Sequence, residues 1–388
     1  MKVRFTLTLC FFLVVTLLIP SFAANDVFSS SNQSREKISD FGKIADEIAS
    51  SVSKSQNGGC YIENGQLVVC IKGSNQINSN NLDRIATESI SIRNVQYSIA
   101  ELEAVVDVLI PNMDRLKIAT LDADETKNKI CIELYEENDD IYDFIESNHL
   151  LSPEAFQIST LEGEVRSTVL RVSLDDVSLS QRSLDSVTRS SQTIYPGSQI
   201  MCGSINNIVY ATAGPRINNT SFYTAGHIAQ SAVVTHLYGY ASGPSGILTE
   251  MGTLSSHTFG SGGDYGTISV VPFYVSLPSS NTFMFGTGKY SITHSAITGT
   301  EVEMWGGFSG ISAGKITATN VTVRLDDGTT VKKLCKTSYT CKVGDSGGGV
   351  FTKNASSNAS ALCYGVQSIG VFPTGSSVSR YSYFSLLP

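Results

Sequence analysis

The sequence lacks the features that several classes of protein require. Beyond residue 20, no apolar segment approaches the roughly 20 residues of a membrane-spanning helix, so no membrane anchor is predicted. Basic residues form no cluster beyond Lys332, Lys333 and Lys336, and the formal net charge is −8, so nucleic acid is not an expected partner. The spacing of the eight cysteines fits no zinc motif, and we expect no metal or other cofactor.

The net charge conceals two parts of opposite sign. Residues 24–193 contain 15 basic and 28 acidic residues, whereas residues 194–388 contain ten basic and seven acidic residues. An acidic part joined to a basic part predicts electrostatic attraction between them. A solvated acidic domain with no such role would have the same composition.

The first 23 residues have the pattern of a secretory signal peptide. Lys2 and Arg4 give a basic start, a short apolar core runs from Phe5 to Pro20, and small residues follow at Ala23 and Ala24. A transmembrane anchor would need a longer apolar segment. We therefore expect cleavage after Ala23 and a secreted, extracellular protein.

Residues 24–172 have the patterns of a folded α+β domain. Apolar residues recur at helical spacing up to Leu109, with Ser98 as the predicted N-cap and Glu101 three residues later. Further predicted elements are two alternating strands and a second amphipathic helix, at residues 116–121, 129–135 and 139–149. This alternation of strands and helices favours a domain rather than a tail.

A change of composition separates this domain from the rest of the chain. Residues 173–193 are rich in Ser, Asp, Gln and Arg and have little periodicity, which predicts a linker. Residues 194–388 have abundant Gly, Ser and Thr and few long helical patterns, so we expect an all-β domain there.

Cysteines suggest a disulfide in the first domain. Cys60 and Cys70 flank a predicted hairpin that turns at Asn64-Gly65, and a disulfide across it is plausible in an oxidising compartment. Cys131 would be unpaired. The second domain has four cysteines, which allow three connectivities: Cys202, Cys335, Cys341 and Cys363.

A glycine-rich segment near the end of the chain surrounds one serine. Residues 341–351 read Cys-Lys-Val-Gly-Asp-Ser-Gly-Gly-Gly-Val-Phe, and glycines allow a tight turn that leaves a hydroxyl among backbone N–H groups. Ser346 is then a candidate nucleophile. The N–H groups of Gly344 and Ser346 are candidates for an anion site.

Two upstream motifs complete a known constellation. Thr224-Ala-Gly-His227 supplies a candidate base, and Gly263-Asp264-Tyr265 opens a strand-like segment rich in β-branched residues. The order His, Asp, Ser is that of chymotrypsin and excludes the subtilisin-like and α/β-hydrolase orders. The serine also lacks the Gly-x-Ser-x-Gly context of a hydrolase nucleophile elbow.

These three motifs resemble those of chymotrypsin-fold serine peptidases, in particular the secreted bacterial streptogrisin and α-lytic protease branch. The resemblance covers residues 194–388 and implies two six-stranded antiparallel β-barrels with the site between them. It implies that His227 is the general base, that Asp264 holds the imidazole tautomer, and that Ser346 attacks the substrate. Gly344 and Ser346 would form the oxyanion hole.

The same branch gives the upstream domain an expected role. In that branch a propeptide assists folding of the protease and inhibits it until removed, so residues 24–172 are interpreted as a pro-domain. We expect self-cleavage just before Ile194, with cleavage by another protease after Arg182 or Arg189 as a second route. The expected product is a monomer that acts on proteins or peptides.

The resemblance also locates a substrate-binding region. Expected pocket residues are Thr340, Gln367, Ser368, Ile369 and Gly370, with Ser368 and Gly370 pairing with substrate as an added strand. No carboxylate occurs where cleavage after Lys or Arg would require one. A glutamate-specific endopeptidase is an alternative, although its usual pocket histidine is absent, so the specificity stays open.

Some residues depart from the branch. Met304-Trp-Gly-Gly307 replaces the Arg or Lys that normally pairs with the aspartate of the serine loop, so Asp345 needs another donor. Cys341 lacks its usual partner, and Cys363 is the expected substitute. Cys202 also lacks a partner. These departures keep open a rival interpretation, in which the domain is a non-catalytic secreted binding module.

Overall fold

A computed structural model describes most of the chain beyond residue 40. The described residues are 41–42, 44–73, 90–168, 170–172, 192–204, 207–231, 236–240, 248–272, 275–284, 286–358 and 360–388. The predicted signal peptide and most of the predicted linker lie outside them. Gly42–Pro388 form one compact unit. Among the described residues, no helix has the length and apolarity to cross a bilayer.

The described part before residue 173 contains both strands and α-helices. Residues 44–51 are helical, and the helices named here are α1 (Ile99–Leu109) and α2 (Asp140–Ser147). The strands are β1 (Asn57–Glu63), β2 (Gln66–Lys72), β3 (Ile90–Val95), β4 (Ile118–Asp124), β5 (Lys129–Leu134), β6 (Phe156–Thr160), β7 (Glu164–Ser167) and β8 (Leu170–Val172). Short 3-10 helices lie at Ile110–Asn112 and Pro153–Ala155.

Helix α1 begins where its capping sequence predicts. The Ser98 hydroxyl accepts from the Glu101 backbone N–H at 3.2 Å, and the Glu101 carboxylate accepts from the Ser98 N–H at 2.9 Å. This reciprocal capping box satisfies two otherwise unpaired donors. Leu102 and Leu109 on the inner face are fully buried and pack with Ile132 of β5. The predicted second helix and both predicted strands also occur, as α2, β4 and β5.

The predicted hairpin between Cys60 and Cys70 occurs, but its disulfide does not. The turn is at Asn64-Gly65, with φ of 52° and 78°. Cys60 lies opposite Val69, so Cys70 is one position out of register with it. Adjacent positions in a strand point to opposite faces, which separates the two sulfurs. Both cysteines are free thiols, and so is Cys131.

The described part from residue 192 onward is mostly β. Its strands are β9 (Gln192–Thr193), β10 (Gln199–Ser204), β11 (Asn207–Thr212), β12 (Arg216–Asn218), β13 (Ser221–Thr224), β14 (His236–Tyr240), β15 (Leu248–Gly260), β16 (Gly263–Val270), β17 (Val275–Ser276), β18 (Tyr290–Ile292), β19 (Glu301–Gly306), β20 (Gly310–Arg324), β21 (Thr330–Thr337), β22 (Gly349–Thr352), β23 (Ala361–Phe372) and β24 (Tyr381–Leu386). The 3-10 helices are Gly226–Ser231 and Ala355–Ser357.

Two large sheets organise these strands. The first has the order β12-β13-β16-β15-β14-β10-β11-β8. The second runs β19-β22-β23-β24-β21-β20-β4-β5-β6, and β19 also pairs with β20, so six of its strands close into a ring. β7 and β18 pair with β23 outside this path. A separate three-stranded sheet has the order β1-β2-β3.

Strands from the acidic part extend both large sheets. β4 pairs with β20, where Thr120 lies opposite Val323, and Ala119 shares a buried apolar cluster with Val321 and Val323. Lys336 lies 3.1 Å from the Glu133 carboxylate across this contact. Because partly exposed ion pairs are worth about 0–1 kcal/mol, the buried apolar surface dominates the attachment.

One carboxyl group on this contact should make the stability pH-dependent. Glu125, next to β4, accepts from Thr298 Oγ1 at 2.8 Å and from Thr319 Oγ1 at 3.4 Å. Burial raises the pKa of Glu125 from its ordinary value of 4.5 to about 7. A raised pKa gives stability that is complete below the unfolded pKa and is lost as pH rises through the folded pKa.

We therefore expect the Ser346→Ala protein, which cannot cut itself under the interpretation above, to lose stability between pH 5 and pH 8. Urea denaturation at the two pH values should give a fall in the free energy of unfolding that is roughly 2–3 kcal/mol larger than in a Ser346→Ala, Glu125→Gln protein. Replacing the exposed Glu137 by Gln is the matched control and should leave the fall unchanged. Equal falls with and without Glu125 would contradict this prediction.

Candidate functional site

Three side chains from distant parts of the sequence meet between the two large sheets. His227 lies in the 3-10 helix after β13, Asp264 is the second residue of β16, and Ser346 lies in the turn before β22. His227 Nε2 is 2.8 Å from Ser346 Oγ, and His227 Nδ1 is 2.6 Å from Asp264 Oδ2. All three side chains are buried. The structure thus brings together the predicted base, its orienting carboxylate and the predicted nucleophile.

The Asp264 carboxylate is held by three donors. It accepts from the His227 backbone N–H at 2.8 Å, from the His227 ring, and from Ser368 Oγ at 2.5 Å. A carboxylate can only accept, so the facing Nδ1 carries a proton. In neutral imidazole the other nitrogen, Nε2, is then free to accept from Ser346.

The turn around Ser346 has a backbone that requires glycine. Gly344 has φ of 103°, and a Cβ at this position would overlap the Phe308 ring. In this conformation the N–H groups of Gly344 and Ser346 point to the same acceptor, the carbonyl oxygen of Thr168. The turn therefore presents two donors side by side, next to the Ser346 hydroxyl.

Asp345 finds its donors in backbone N–H groups. Its fully buried carboxylate accepts from the N–H groups of Lys342 at 2.7 Å, Phe308 at 2.9 Å and Ser309 at 3.1 Å. Gly306 permits this approach, because a Cβ there would overlap Asp345 Oδ1. These three N–H groups are the donors that the buried Asp345 carboxylate requires.

Removal of this carboxylate should destabilise the turn. Asp345→Ala leaves three partly buried backbone donors without this acceptor, at about 1–3 kcal/mol for each that water does not reach, so we expect a loss of about 1–3 kcal/mol in thermal denaturation. Asp345→Asn keeps one acceptor oxygen and should lose less. The exposed Asp107→Ala is the control for removal of a carboxylate alone. Equal stability of Asp345→Ala and wild type would rule out this role.

A strand from the acidic part lies along β23 and leads into the site. β7 pairs antiparallel with β23, with Arg166 opposite Gly370 and Ser167 opposite Ile369. The next residue, Thr168, donates its backbone N–H to the Ser368 carbonyl at 3.3 Å. An extended peptide that adds to a sheet edge in this way is a common mode of peptide recognition.

Thr168 occupies the centre of the site. Its carbonyl oxygen accepts from the N–H of Gly344 and from the N–H of Ser346, the latter at 3.3 Å. Its hydroxyl oxygen lies 2.9 Å from Ser346 Oγ and 3.1 Å from the Ser368 carbonyl oxygen. Thr168 is fully buried. A peptide carbonyl of the chain itself is thus held beside the candidate nucleophile.

Strand β8 belongs to the other large sheet. β8 pairs antiparallel with β11, with Leu170 opposite Tyr210 and Val172 opposite Ile208. β7 therefore pairs with one large sheet and β8 with the other.

The predicted pocket residues divide into three groups. The backbones of Ser368, Ile369 and Gly370 pair with residues 166–168, which we call the inserted strand together with the rest of β7. Gln367 is buried behind them, where it accepts from Tyr339 Oη at 2.7 Å and donates to the Ile369 carbonyl at 3.0 Å. Thr340 is exposed and its N–H donates to Ser312 Oγ, so the described contacts do not bring it to the inserted strand.

The second disulfide candidate, between Cys341 and Cys363, is also not formed. The Cys341 sulfur contacts Gln367 Nε2 and Ser382 Oγ, whereas the Cys363 sulfur bonds to the Gly365 carbonyl. The two residues belong to different apolar clusters of the second large sheet. Both are free thiols, as are the two remaining cysteines of this part, Cys202 and Cys335.

Among the residues that the structure describes, one group of possible metal ligands lies outside this site. Atoms of Asp122, Asp124 and Cys131 lie within 4.8 Å of one another. Lys127 Nζ is 2.9 Å from Asp124 Oδ2, so an ammonium group already compensates this carboxylate. The chemistry of the group gives no reason to add a metal.

Sequence reasoning missed Thr168 and the strands on either side of it. The segment from Val165 to Leu170 contains the β-branched residues Val165, Thr168 and Val169, which is a strand signal. Its partner strand is about 200 residues away in the sequence, as the bond between Thr168 and Ser368 illustrates. A local pattern predicts a strand but does not identify a partner at that separation.

Comparisons with known proteins return solved structures. No protein-family model matches the chain, and no curated protein matches it. Thermobifida fusca protease A is 26% identical with a TM-score of 0.38, and the match covers 50% of this chain and 91% of that one. A Cellulomonas bogoriensis chymotrypsin is 23% identical with a TM-score of 0.36, with 50% and 91% covered.

A third match is a glutamic acid specific serine protease described as using a histidine triad in substrate binding. It is 22% identical with a TM-score of 0.37, and the match covers 50% of this chain and 93% of that one. The solved structures that resemble this chain thus include bacterial chymotrypsin-fold serine proteases, the family that its three sequence motifs resemble.

Proposed function

We propose that this protein is a secreted serine endopeptidase made as a zymogen, with a chymotrypsin-like domain of two six-stranded barrels over residues 194–388. The observation that carries the proposal is the line of contacts from Asp264 through His227 to Ser346, ending at a peptide carbonyl held by two backbone N–H groups. A binding module has no need of a base within 2.8 Å of a hydroxyl.

The reaction follows from these contacts. His227 Nε2 takes the proton of Ser346 Oγ as the oxygen attacks the carbonyl carbon, and the Gly344 and Ser346 N–H groups stabilise the oxyanion that forms. Asp264 stabilises the imidazolium. The imidazolium then gives its proton to the leaving amine, and the C–N bond breaks to leave an acyl-enzyme. Water, deprotonated by His227, hydrolyses that ester and restores Ser346.

The inserted strand, residues 164–168, supports the proposal that the protein is made as a zymogen. Residues 164–168 pair with β23 along the edge that a substrate strand would use, so an outside peptide can bind only after this segment leaves. Residues 24–172 then act as an inhibitor that is part of the same chain. The same domain buries apolar surface against β20, which is consistent with the assistance in folding implied by the resemblance.

Localisation and partners complete the proposal. Residues 1–23 are proposed as the signal peptide, so the protein is extracellular. Its proposed partners are peptide or protein substrates and its own pro-domain. We propose a monomer with no membrane anchor and no nucleic-acid partner. The glutamate-specific alternative has less support. The Gln367 side chain is already hydrogen-bonded to Tyr339 and to the Ile369 carbonyl, and it carries no positive charge that could bind the carboxylate of a substrate glutamate.

The test is labelling with a fluorophosphonate probe, which reacts with an activated serine. We expect the secreted protein to be labelled only after loss of the pro-domain, and we expect no labelling of Ser346→Ala or His227→Ala. The exposed Ser377→Ala should be labelled like wild type. Folded and processed protein that never reacts would eliminate the protease proposal and favour the non-catalytic binding module.

A further inference from the structure

The side chain of Thr168 fits the site in a defined way. Its backbone N–H and its hydroxyl both lie within hydrogen-bond distance of the Ser368 carbonyl, at 3.3 and 3.1 Å, while its carbonyl oxygen faces the two N–H groups of the turn. The carbonyl so held belongs to the bond that joins Thr168 to Val169. Thr168 therefore stands where the residue before a cleaved bond would stand.

The wall at Gly370, two residues beyond the Ser368 carbonyl that holds Thr168, is closely packed. A Cβ built on Gly370 would lie 2.7 Å from the Phe372 ring and 2.9 Å from the Cys341 sulfur, and the Arg166 guanidinium lies 4.9 Å from the centre of that ring, so these groups fill the space beside Gly370. Both Phe372 and Cys341 are fully buried. A long or aromatic side chain directed toward this wall would have to displace one of them.

A buried polar network stiffens the region behind this wall. Tyr339 Oη donates to Gln367 Oε1 at 2.7 Å, and Gln367 Nε2 donates to the Ile369 carbonyl at 3.0 Å and contacts the Cys341 sulfur at 3.4 Å. Displacing one member would leave buried polar atoms without partners, which costs more than a lost bond between exposed groups. The region is therefore poorly suited to opening for a larger residue.

From this geometry we infer that the protein cleaves after threonine and that Thr168–Val169 is the first bond it cuts in its own chain. The inference deepens the proposed function and rests on it. Ser346 Oγ attacks the Thr168 carbonyl carbon and the C–N bond to Val169 breaks. The proton from Ser346 passes through His227 to the new Val169 amine. Water then releases the Thr168 carboxylate.

A second bond of the same type lies at the predicted end of the linker. Thr193–Ile194 also joins threonine to a β-branched aliphatic residue. Gln192–Thr193 pairs with Val275–Ser276, and the Ile194 N–H donates to the Ser276 carbonyl at 3.0 Å, so this bond is not the one held at Ser346. It is cut later, by another molecule, and the two cuts together remove residues 169–193.

The experiment is a time course of the full-length secreted protein, with N-terminal sequencing and intact mass. We expect Val169 as the first new N-terminus beyond the signal site and Ile194 afterwards, with neither in Ser346→Ala. Thr168→Val keeps the shape and should still be cut at this bond. Thr168→Lys and Thr168→Phe should be cut there about 100-fold more slowly, because the filled wall resists overpacking.

A second experiment measures the cleavage preference of the processed wild-type protein on peptide substrates, so its result does not depend on whether the Thr168 variants fold. Peptides based on Val-Arg-Ser-Thr-Val-Leu, with Thr replaced by Val, Phe, Lys or Glu, should give kcat/KM highest for Thr and Val and about 100-fold lower for the others. Probe labelling together with a first N-terminus other than Val169, or a preference for Phe, Lys or Glu, overturns this inference and leaves the protease proposal standing. Absence of labelling overturns both.

Discussion

Replacing Ser346 or His227 by alanine is expected to lower kcat/KM for peptide hydrolysis by about 10⁶, and replacing both should lower it no further. The two side chains act as one unit, because the hydroxyl is a weak nucleophile without a base 2.8 Å away and the base has nothing to activate without the hydroxyl. Stabilisation by the turn N–H groups would persist in all three variants and leave a small residual rate.

The measurement is steady-state hydrolysis of a threonine peptide and of a less specific protein substrate by each processed variant. Because the variants would not process themselves, a small amount of active wild type must first cut them, and both the wild type and the released pro-domain must then be removed. Ser377→Ala, which changes an exposed serine, is the matched control and should keep wild-type kcat/KM. Independent, additive losses from the two single variants would contradict a shared proton-transfer step.

The sequence was sufficient to single out the three residues that the structure brings together, because each lies in a short motif whose backbone conformation is local. The tight turn at Gly344 needs a positive φ, and the capping box at Ser98 and Glu101 needs residues only three positions apart. Such features depend on neighbours in the chain. Their geometry in the structure, with Ser98 and Glu101 bonded reciprocally, is the one the local pattern predicts.

Other features depend on contacts that no local pattern contains. Asp345 is held by backbone N–H groups, which every residue except proline has, so no residue type in the sequence marks them as donors. The pairing of β7 with β23 joins segments about 200 residues apart. The disulfide predictions were wrong for a related reason. Cysteine content does not fix strand register or the face on which each thiol lies.

The inserted strand explains how one surface could serve both inhibition and recognition. The edge of β23 pairs with residues 164–167, and the turn N–H groups hold the Thr168 carbonyl, so the interactions that a substrate would use are already made within the chain. An intramolecular strand competes at a high effective concentration with any outside peptide. Cleavage alone would therefore not free the site, and full activity should require loss of the whole pro-domain.

Asp264→Asn is expected to lower kcat by about 10⁴ while leaving the fold intact. The native carboxylate meets three donors: the His227 backbone N–H, the His227 ring and Ser368 Oγ. An amide has only one acceptor oxygen, so its NH₂ group must face at least one of these donors. If the NH₂ faces the ring, Nδ1 becomes an acceptor, the proton moves to Nε2, and His227 can no longer accept from Ser346.

Ser368→Ala is the matched control, since it removes one donor and keeps the carboxylate. We expect it to lower kcat by only about tenfold, the effect of one hydrogen bond to a charged group. The measurement is kcat for a threonine peptide at several pH values, together with the ring ¹⁵N NMR spectrum of His227. The Asp264→Asn spectrum should report the tautomer protonated at Nε2, and Ser368→Ala the native tautomer. A native tautomer in Asp264→Asn would mean that Asp264 acts through its charge and not by orienting the ring.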